Sequence, residues 1–419
     1  MIVLKKYNAK KIYFIYSGAS AFFFTLVFTI SSIYFIQQVK LNPLQLVLVG
    51  TFLEAAVFIF EIPTGIVADL HSRKLSILIG LVLISSGFLL QGIVPLFTTI
   101  LTAQILWGIG YTFLSGADTA WIADESGAKD LTPIFFKATQ IRQLLTFFAT
   151  FISIGLGTIA LNLPILLAGI LFIALAIFLL VFMPEENFTK TPSEERENWH
   201  DMLETLKEGL SLIKKKKLFT IILLVAVFTG LYSEGFDRLW HLHFIKDINL
   251  PPMGQMKPFV WFSIINSVAM LLSIGTVEVI KRRVEARGEI TMIWALFLIN
   301  LGLMFSIFFF AMSGQFVLGL ITYWSAYILR SNNYPIYSAW INQHIDKSHI
   351  RATIISMTGQ LDAFGQIIGG PIIGFIATRY SAPVGIGLAA ALVLPVPLLY
   401  LYTFIKFKSN QTKRIDSGY

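Results

Sequence analysis

Glu54 and Glu61 stand seven residues apart in an apolar run, so on a helix both carboxyls fall on one face. Asp362 lies in a second apolar run, beside Gln360 and Gln366. An isolated ionised group in hydrocarbon is costly and usually faces a cavity or a partner. Burial favours the neutral carboxyl, so such a group suits a proton taken on one side of a membrane and lost on the other. Glu54, Asp362 and Glu61 are therefore candidates for proton coupling. A static pairing, or direct contact with a cationic solute, is the alternative role for Glu54 and Asp362. Arg142, Glu234, Asp237, Arg238 and Arg330 are further charges in apolar surroundings. Asp237 and Arg238 are adjacent near a helix end, which points to a structural or outer-gate role.

Other chemistries lack residues. There is no cysteine, which removes disulfides, thiol catalysis and Cys-based metal sites. The six histidines are scattered, and His241 and His243, two apart, point to different helix faces. No metal site is expected. No Walker A loop, nucleophile elbow or zinc signature is present, so neither an enzyme, a cofactor nor ATP-driven pumping is expected. The net charge of +8 would suggest nucleic acid in a soluble protein. Here its placement argues for membrane topology instead.

Of 419 residues, 56% are hydrophobic and 13% charged, and the mean hydropathy is +0.73. A soluble chain carries roughly 25% charged residues to wet its surface. The expected solvent is lipid. A helix needs roughly 20 apolar residues to cross the bilayer core. Such runs fall at 12–37, 44–68, 75–95, 98–117, 138–160 and 163–183, then at 218–243, 258–280, 290–311, 314–335, 352–378 and 382–406. The first run follows Lys5, Lys6, Lys10 and Lys11 and is too long for a signal-peptide core, so a retained helix is expected. Twelve spans put both termini and the segments 69–74, 118–137, 184–217, 281–289 and 336–351 on one side, with most of the Lys and Arg. The opposite loops hold Lys40, Lys246, Lys257 and Arg379. By the positive-inside rule the crowded side is cytoplasmic.

This order gives an N-terminal six-helix bundle (1–183), a cytoplasmic linker (184–217) and a C-terminal bundle (218–419). In the linker, Trp199, Met202, Leu203, Leu206, Leu210 and Ile213 recur at helical spacing before Lys214–Lys217. That pattern predicts an interfacial amphipathic helix near anionic headgroups, with a regulatory or partner site as the alternative. The halves echo one another. Gly65 to Arg73 parallels Gly275 to Arg283, Ala120-Trp121-Ile122 parallels Ala339-Trp340-Ile341, and Lys137-Ala138-Thr139 parallels Arg351-Ala352-Thr353. Three matches in the same order argue for a duplication of the kind found in transporters.

The turn after the second span reads Gly65-Ile-Val-Ala-Asp69-Leu-His-Ser-Arg73-Lys74. It resembles the loop between helices two and three of the major facilitator superfamily, Gly-x-x-x-Asp-x-x-Gly-Arg-Arg/Lys, with Ser72 in place of the second glycine. The resemblance implies two pseudo-symmetric six-helix bundles, all-α, in a chain complete as a monomer. It also implies that Gly65, Asp69, Arg73 and Lys74 form a cytoplasmic gate, with Asp69 placed to cap the eleventh span. In related drug-efflux members an acidic residue after helix four pairs with the gate arginine. Asp118 is the first candidate here and Asp124 the second. The helix-four arginine of many drug/proton antiporters is absent, and Arg142 is the residue placed to do similar work.

Gly365, Gly369, Gly370, Pro371 and Gly374 resemble the antiporter glycine–proline motif, but on span eleven rather than span five, where only Gly155 and Gly157 stand without a proline. Close helix packing is the simpler reading. The Glu61-Ile-Pro-Thr-Gly and Ala-Trp-Ile-x-Asp-Glu segments resemble bacterial drug-efflux members. The resemblance thus implies export of a hydrophobic or amphiphilic compound, such as an antibiotic, against protons, in a bacterial inner membrane with no nucleic-acid partner. Import of a nutrient or flipping of a lipid on the same fold is the first alternative, kept open by Asn266, Asn300, Gln104 and Gln360. A non-transporting sensor or assembly factor is the second. An integral-membrane enzyme is the third.

Overall fold

The computed structural model describes residues 8–128, 130–188, 217–248, 250–252, 257, 260–285, 289–344 and 348–416. The expected amphipathic helix of the linker lies outside them. The described residues are helical throughout their regular structure and contain no strand. In chain order the helices are α1 (Ala9–Ile33), α2 (Pro43–Leu70), α3 (Arg73–Ile93), α4 (Phe97–Leu114), α5 (Ala117–Ser126), α6 (Thr132–Ile159) and α7 (Leu163–Phe182). They continue as α8 (Lys217–His243), α9 (Val260–Glu285), α10 (Glu289–Ala311), α11 (Phe316–His344), α12 (Ser348–Arg379), α13 (Ala382–Val393) and α14 (Pro395–Asp416). One turn of π-helix extends α1 (Tyr34–Gln38) and another extends α8 (Phe244–Ile248).

Local chemistry sets the boundaries. Asn8 caps α1 by accepting from the backbone N–H of Lys10 at 3.0 Å. Prolines open α6, α7 and α13, where the missing N–H has no intrahelical partner to lose. Gly116 adopts φ +73°, which a side chain would resist, and there α4 breaks into α5. The segment 118–137 was expected as a cytoplasmic loop. It is instead largely helical: α5 occupies its first half, and α6 begins at Thr132 rather than at 138. Asp130 lies in the short connection to α6. Hydrogen bonds from the Thr132 hydroxyl and its backbone N–H (2.9 Å) hold the Asp130 carboxyl below the usual carboxylate range.

Ten helical stretches among the described residues are long and apolar enough to cross a membrane. This is a multi-pass membrane protein. Large apolar side chains point outward from the helices, as a hydrocarbon solvent requires: Phe147, Phe148 and Phe151 on α6, and Ile170, Ile177 and Leu180 on α7.

The chain divides into two compact units, residues 8–41 with 52–188, and residues 42–51 with 217–416. The first turns of α2 thus belong with the second unit. In the first unit α1 packs on α6 and α7, and α3 on α4 and α7. The second unit repeats the scheme, with α8 on α12 and α13, and α10 on α11 and on α13 with α14. Each unit also buries the tryptophan of its Ala-Trp-Ile segment, Trp121 and Trp340, among its least exposed large side chains. The core of the first unit is aromatic. Phe24 meets Phe172 and Phe88 at ring separations of 5.0 and 6.0 Å, and Gln104 donates to Gln91 at 2.9 Å within it. In the second unit, Ile222, Ile293, Leu296, Trp340 and Tyr400 form the centre.

Candidate functional site

The motif after the second span closes on the end of its own unit. Asp69 and Arg73, one turn apart, form an ion pair. The Arg73 guanidinium lies 4.0 Å from Asp124 and 5.9 Å from the centroid of the Phe188 ring. Ser72, where the family pattern has glycine, has an extended backbone and caps α3 by accepting from Leu75 N–H at 2.9 Å. Its hydroxyl also donates to Glu185 at 2.5 Å, and Glu185 accepts the backbone N–H of Lys74 at 2.8 Å. Lys74 in turn donates its ammonium to the carbonyls of Leu180 (2.9 Å) and Met183 (2.8 Å), the last orphan acceptors of α7. Trp121 donates to the Pro184 carbonyl at 2.7 Å, and Glu125 accepts from the N–H groups of Glu186 and Asn187 at 2.7 Å.

Charged groups of the motif thus hold the chain as it leaves α7. Sequence reasoning missed Glu185. Its only signal was a Pro-Glu-Glu run immediately after an apolar span. The two expected partners of Arg73 also exchange places: Asp124 faces it, whereas Asp118 sits elsewhere. Asp118 opens α5, accepts the Thr119 N–H at 2.7 Å and takes the hydroxyl of buried Tyr16, within reach of Arg142. Arg142 also donates to Thr139 at 3.1 Å.

Glu61 accepts from the Ser115 hydroxyl at 3.0 Å, beside the break between α4 and α5. Tyr111 feels the charges of Glu61, Asp118 and Glu54 together. Three of the predicted acids therefore gather around one phenol in the first unit. Glu54 is half-buried on α2, near the point where Gly108 of α4 packs on the Leu53 carbonyl. Gly65 has open space beside it, so nothing at that position demands a glycine by crowding.

The second unit holds the other charges. Asp237 of α8 accepts from Arg330 of α11 at 2.5 Å, and the guanidinium lies 5.8 Å from the centroid of the Tyr232 ring. This pair lines a cavity of about 320 Å³ together with Phe236, Tyr323, Tyr327 and Ser331. The walls are mostly aromatic: Tyr323 stacks on Trp240 at 4.3 Å and donates to Asn266 at 3.1 Å. Asp362 on α12 accepts from Gln366 at 2.8 Å and lies within the field of Arg330. The adjacent pair Asp237 and Arg238 is split: Arg238 turns to the buried Glu234, 2.7 Å away on its own helix.

The α12 glycines make a two-sided seam. A Cβ at Gly365 would fall 2.8 Å from the Leu231 nitrogen, and one at Gly369 would collide with the Leu231 carbonyl. From the other helix, a Cβ at Gly230 would collide with the Asp362 carbonyl. Gly370 and Gly374 face Val47 instead, 2.9 and 3.1 Å from where their Cβ atoms would stand, and Pro371 lies within the helix between them. Close packing accounts for each of these glycines.

The profile of the Major Facilitator Superfamily matches residues 12–361. The chain belongs to that family. Over 372 residues it is 23% identical to the uncharacterised MFS-type transporter YxaM of Bacillus subtilis strain 168, covering 88% of this chain and 90% of the relative. The nucleoside transporter NupG superposes with a TM-score of 0.72 at 15% identity, over 95% of this chain and 99% of its own. A POT family transporter crystallised with a thioalcohol-conjugated peptide gives 0.69 at 14% identity, over 95% of this chain and 96% of its own. These likenesses establish the major facilitator fold, and the family makes the chain a membrane transporter.

Proposed function

We propose that this transporter exports small amphiphilic organic compounds in exchange for protons, by alternating access, from a bacterial cytoplasm across the inner membrane, with both termini inside. The observation that carries this reading is the cavity of the second unit. Three aromatic side chains, Phe236, Tyr323 and Tyr327, wall it, and the ion pair Asp237–Arg330 gives it both signs of charge beside the Ser331 hydroxyl. Such a site suits a flat apolar body with one ionised group, which would compete for Arg330 or Asp237. A sugar would need more neutral hydrogen-bonding groups. Two of the residues able to serve it are spent on the interior: Gln104 bonds Gln91, and Asn300 donates to Asn333 at 3.0 Å.

In this reading Glu54 and Asp362 carry protons, and Asp69, Arg73 and Asp124 hold the cytoplasmic end closed in one state. A second reading, uptake of a small polar solute, is favoured by Ser331 at the same cavity and by Asn266, which accepts from the lining Tyr323.

The test is drug-dependent proton flux in proteoliposomes holding an internal pH dye, with gradients imposed in both directions and amphiphilic cations, anions and zwitterions supplied in turn. Flux is expected with at least one class, falling about tenfold or more in Glu54→Gln or Asp362→Asn. Folded, inserted protein that moves no proton with any compound would overturn export by antiport. Solute moving inward with the proton would transfer the assignment to uptake.

A further inference from the structure

His243 ends α8 with both ring nitrogens engaged. Its Nε2 lies 2.8 Å from the Phe310 carbonyl, and its Nδ1 lies 3.0 Å from a carboxylate oxygen of Asp247, one turn on in the π-helical segment. The ring is 1% exposed and packs edge-on against the Phe310 ring at 4.9 Å. A carbonyl only accepts, so Nε2 carries a proton. The carboxylate also accepts, so the 3.0 Å contact at Nδ1 needs a second proton between the two groups. Without it, two lone pairs would face each other in a buried site. The Phe310 carbonyl is already fixed by a second donor, the Ser313 hydroxyl at 2.6 Å, so the ring cannot escape by a small shift of its acceptor.

We infer that His243 and Asp247 form a proton-binding site at the end of α8, holding one proton as a buried imidazolium against a partly exposed carboxylate. A proton shared there leaves the pair neutral as a whole, which is how such a charge is tolerated in a membrane. Asp247 is 31% exposed, which gives the proton a route in and out that His243 alone lacks. Lys246 and Asp247 are the other charged groups of the π-helical turn, and His241 is turned away onto Phe262. From α10 the site faces the Phe310 carbonyl, and from the turn after it Ser313. From α11 the titratable Tyr323 packs on Phe310 and Phe244. From α9 the apolar Phe262 packs on Phe244.

When the proton leaves, the Nδ1 contact turns repulsive, and the π-helical turn that carries Asp247 loses its tie to α8. The charge asymmetry of the loops puts this end outside, so the site would load from the external medium. That assignment to a transport cycle rests on the proton-coupled reading above, whereas the proton site rests on the contacts alone.

Asp247→Asn separates the two. Its amide N–H can donate to Nδ1, preserving the contact with a neutral ring and no shared proton. Nitrogen NMR of histidine-labelled protein in lipid nanodiscs at neutral pH is expected to show His243 protonated on both nitrogens in the wild type and on Nε2 alone in Asp247→Asn. A wild-type ring protonated on one nitrogen only overturns the site, whether or not any transport is found. In proteoliposomes, flux is expected to fall as the external medium is made alkaline, and this alkaline limb is expected to be lost in Asp247→Asn. A variant that slows flux equally at every external pH would mark the pair as structural and overturn its part in the cycle.

Discussion

The two compact units share one scheme of helix pairing and differ in where their charges sit. In the first, the ion pair and most charge-assisted bonds gather at one end, where Asp69, Arg73, Lys74, Asp124, Glu125 and Glu185 fasten the turn after α2 to the chain leaving α7. In the second they lie along α8 and its neighbours, as Asp237–Arg330, Glu234–Arg238 and His243–Asp247. The second copy of the motif has Val279 where the first has Asp69. Duplicated packing therefore persists while the chemistry diverges, because packing is set by many small contacts and a charge cluster by a few side chains.

The sharpest way to break this comparison is through glycine. Gly369→Val would drive a side chain into the Leu231 carbonyl and is expected to cost about 3 kcal/mol or more, seen as loss of monodisperse protein in detergent. Gly155 on α6 has open space beside it, so Gly155→Ala is expected to stabilise by about 0.5–1 kcal/mol. A folded, unchanged Gly369→Val protein would remove the α8–α12 seam as a constraint.

Arg330 probes the second unit's chemistry. Arg330→Gln strands Asp237 and is expected to reduce substrate-dependent flux about tenfold or more, with a lowered melting temperature. Adding Asp237→Asn should restore the melting temperature but not the flux. Recovery of both would make the pair structural.

The first unit's end is more forgiving, because each group there has several partners. Ser72→Ala removes the α3 cap and is expected to cost about 1 kcal/mol, and Ser72→Gly less, on the cap alone. Equal losses in thermal melts would show that the bond to Glu185, absent in both, outweighs the cap. Asp124→Asn should have the smallest effect, a few tenths of a kcal/mol, since Arg73 keeps Asp69 and the Asp124 contact is 4.0 Å. A larger loss would make Asp124 a principal anchor.

The spans and the fold were legible because a bilayer imposes a length and a polarity on every helix. The break at Gly116 was hidden in a segment rich in charge, where polar residues suggested a loop although α5 buries Trp121 and Ile122. The site was legible as residue types and not as partnerships. Asp118 and Asp124 are six residues apart on or beside one short helix, and only its rotation decides which meets Arg73. Glu185 and the Asp237–Arg330 pair join positions far apart in the chain, a relation that spacing along one sequence does not encode. His243 and Asp247, one turn apart, did carry a local signal. It is obscured by His241, which with His243 makes the more familiar pair of possible metal ligands.

Each unit ends its first long helix with a π-helical turn, Tyr34–Gln38 and Phe244–Ile248. Such a turn accommodates one residue more than an α-helix of the same rise. Relatives one residue shorter should carry the deletion at these two places, where ordinary helix with one residue fewer keeps everything downstream on its face. A deletion within the ordinary helix has no such slack and would rotate everything downstream by about 100° while leaving the hydrophobic profile almost unchanged. Loss of function by such a shift would be invisible to any comparison of composition.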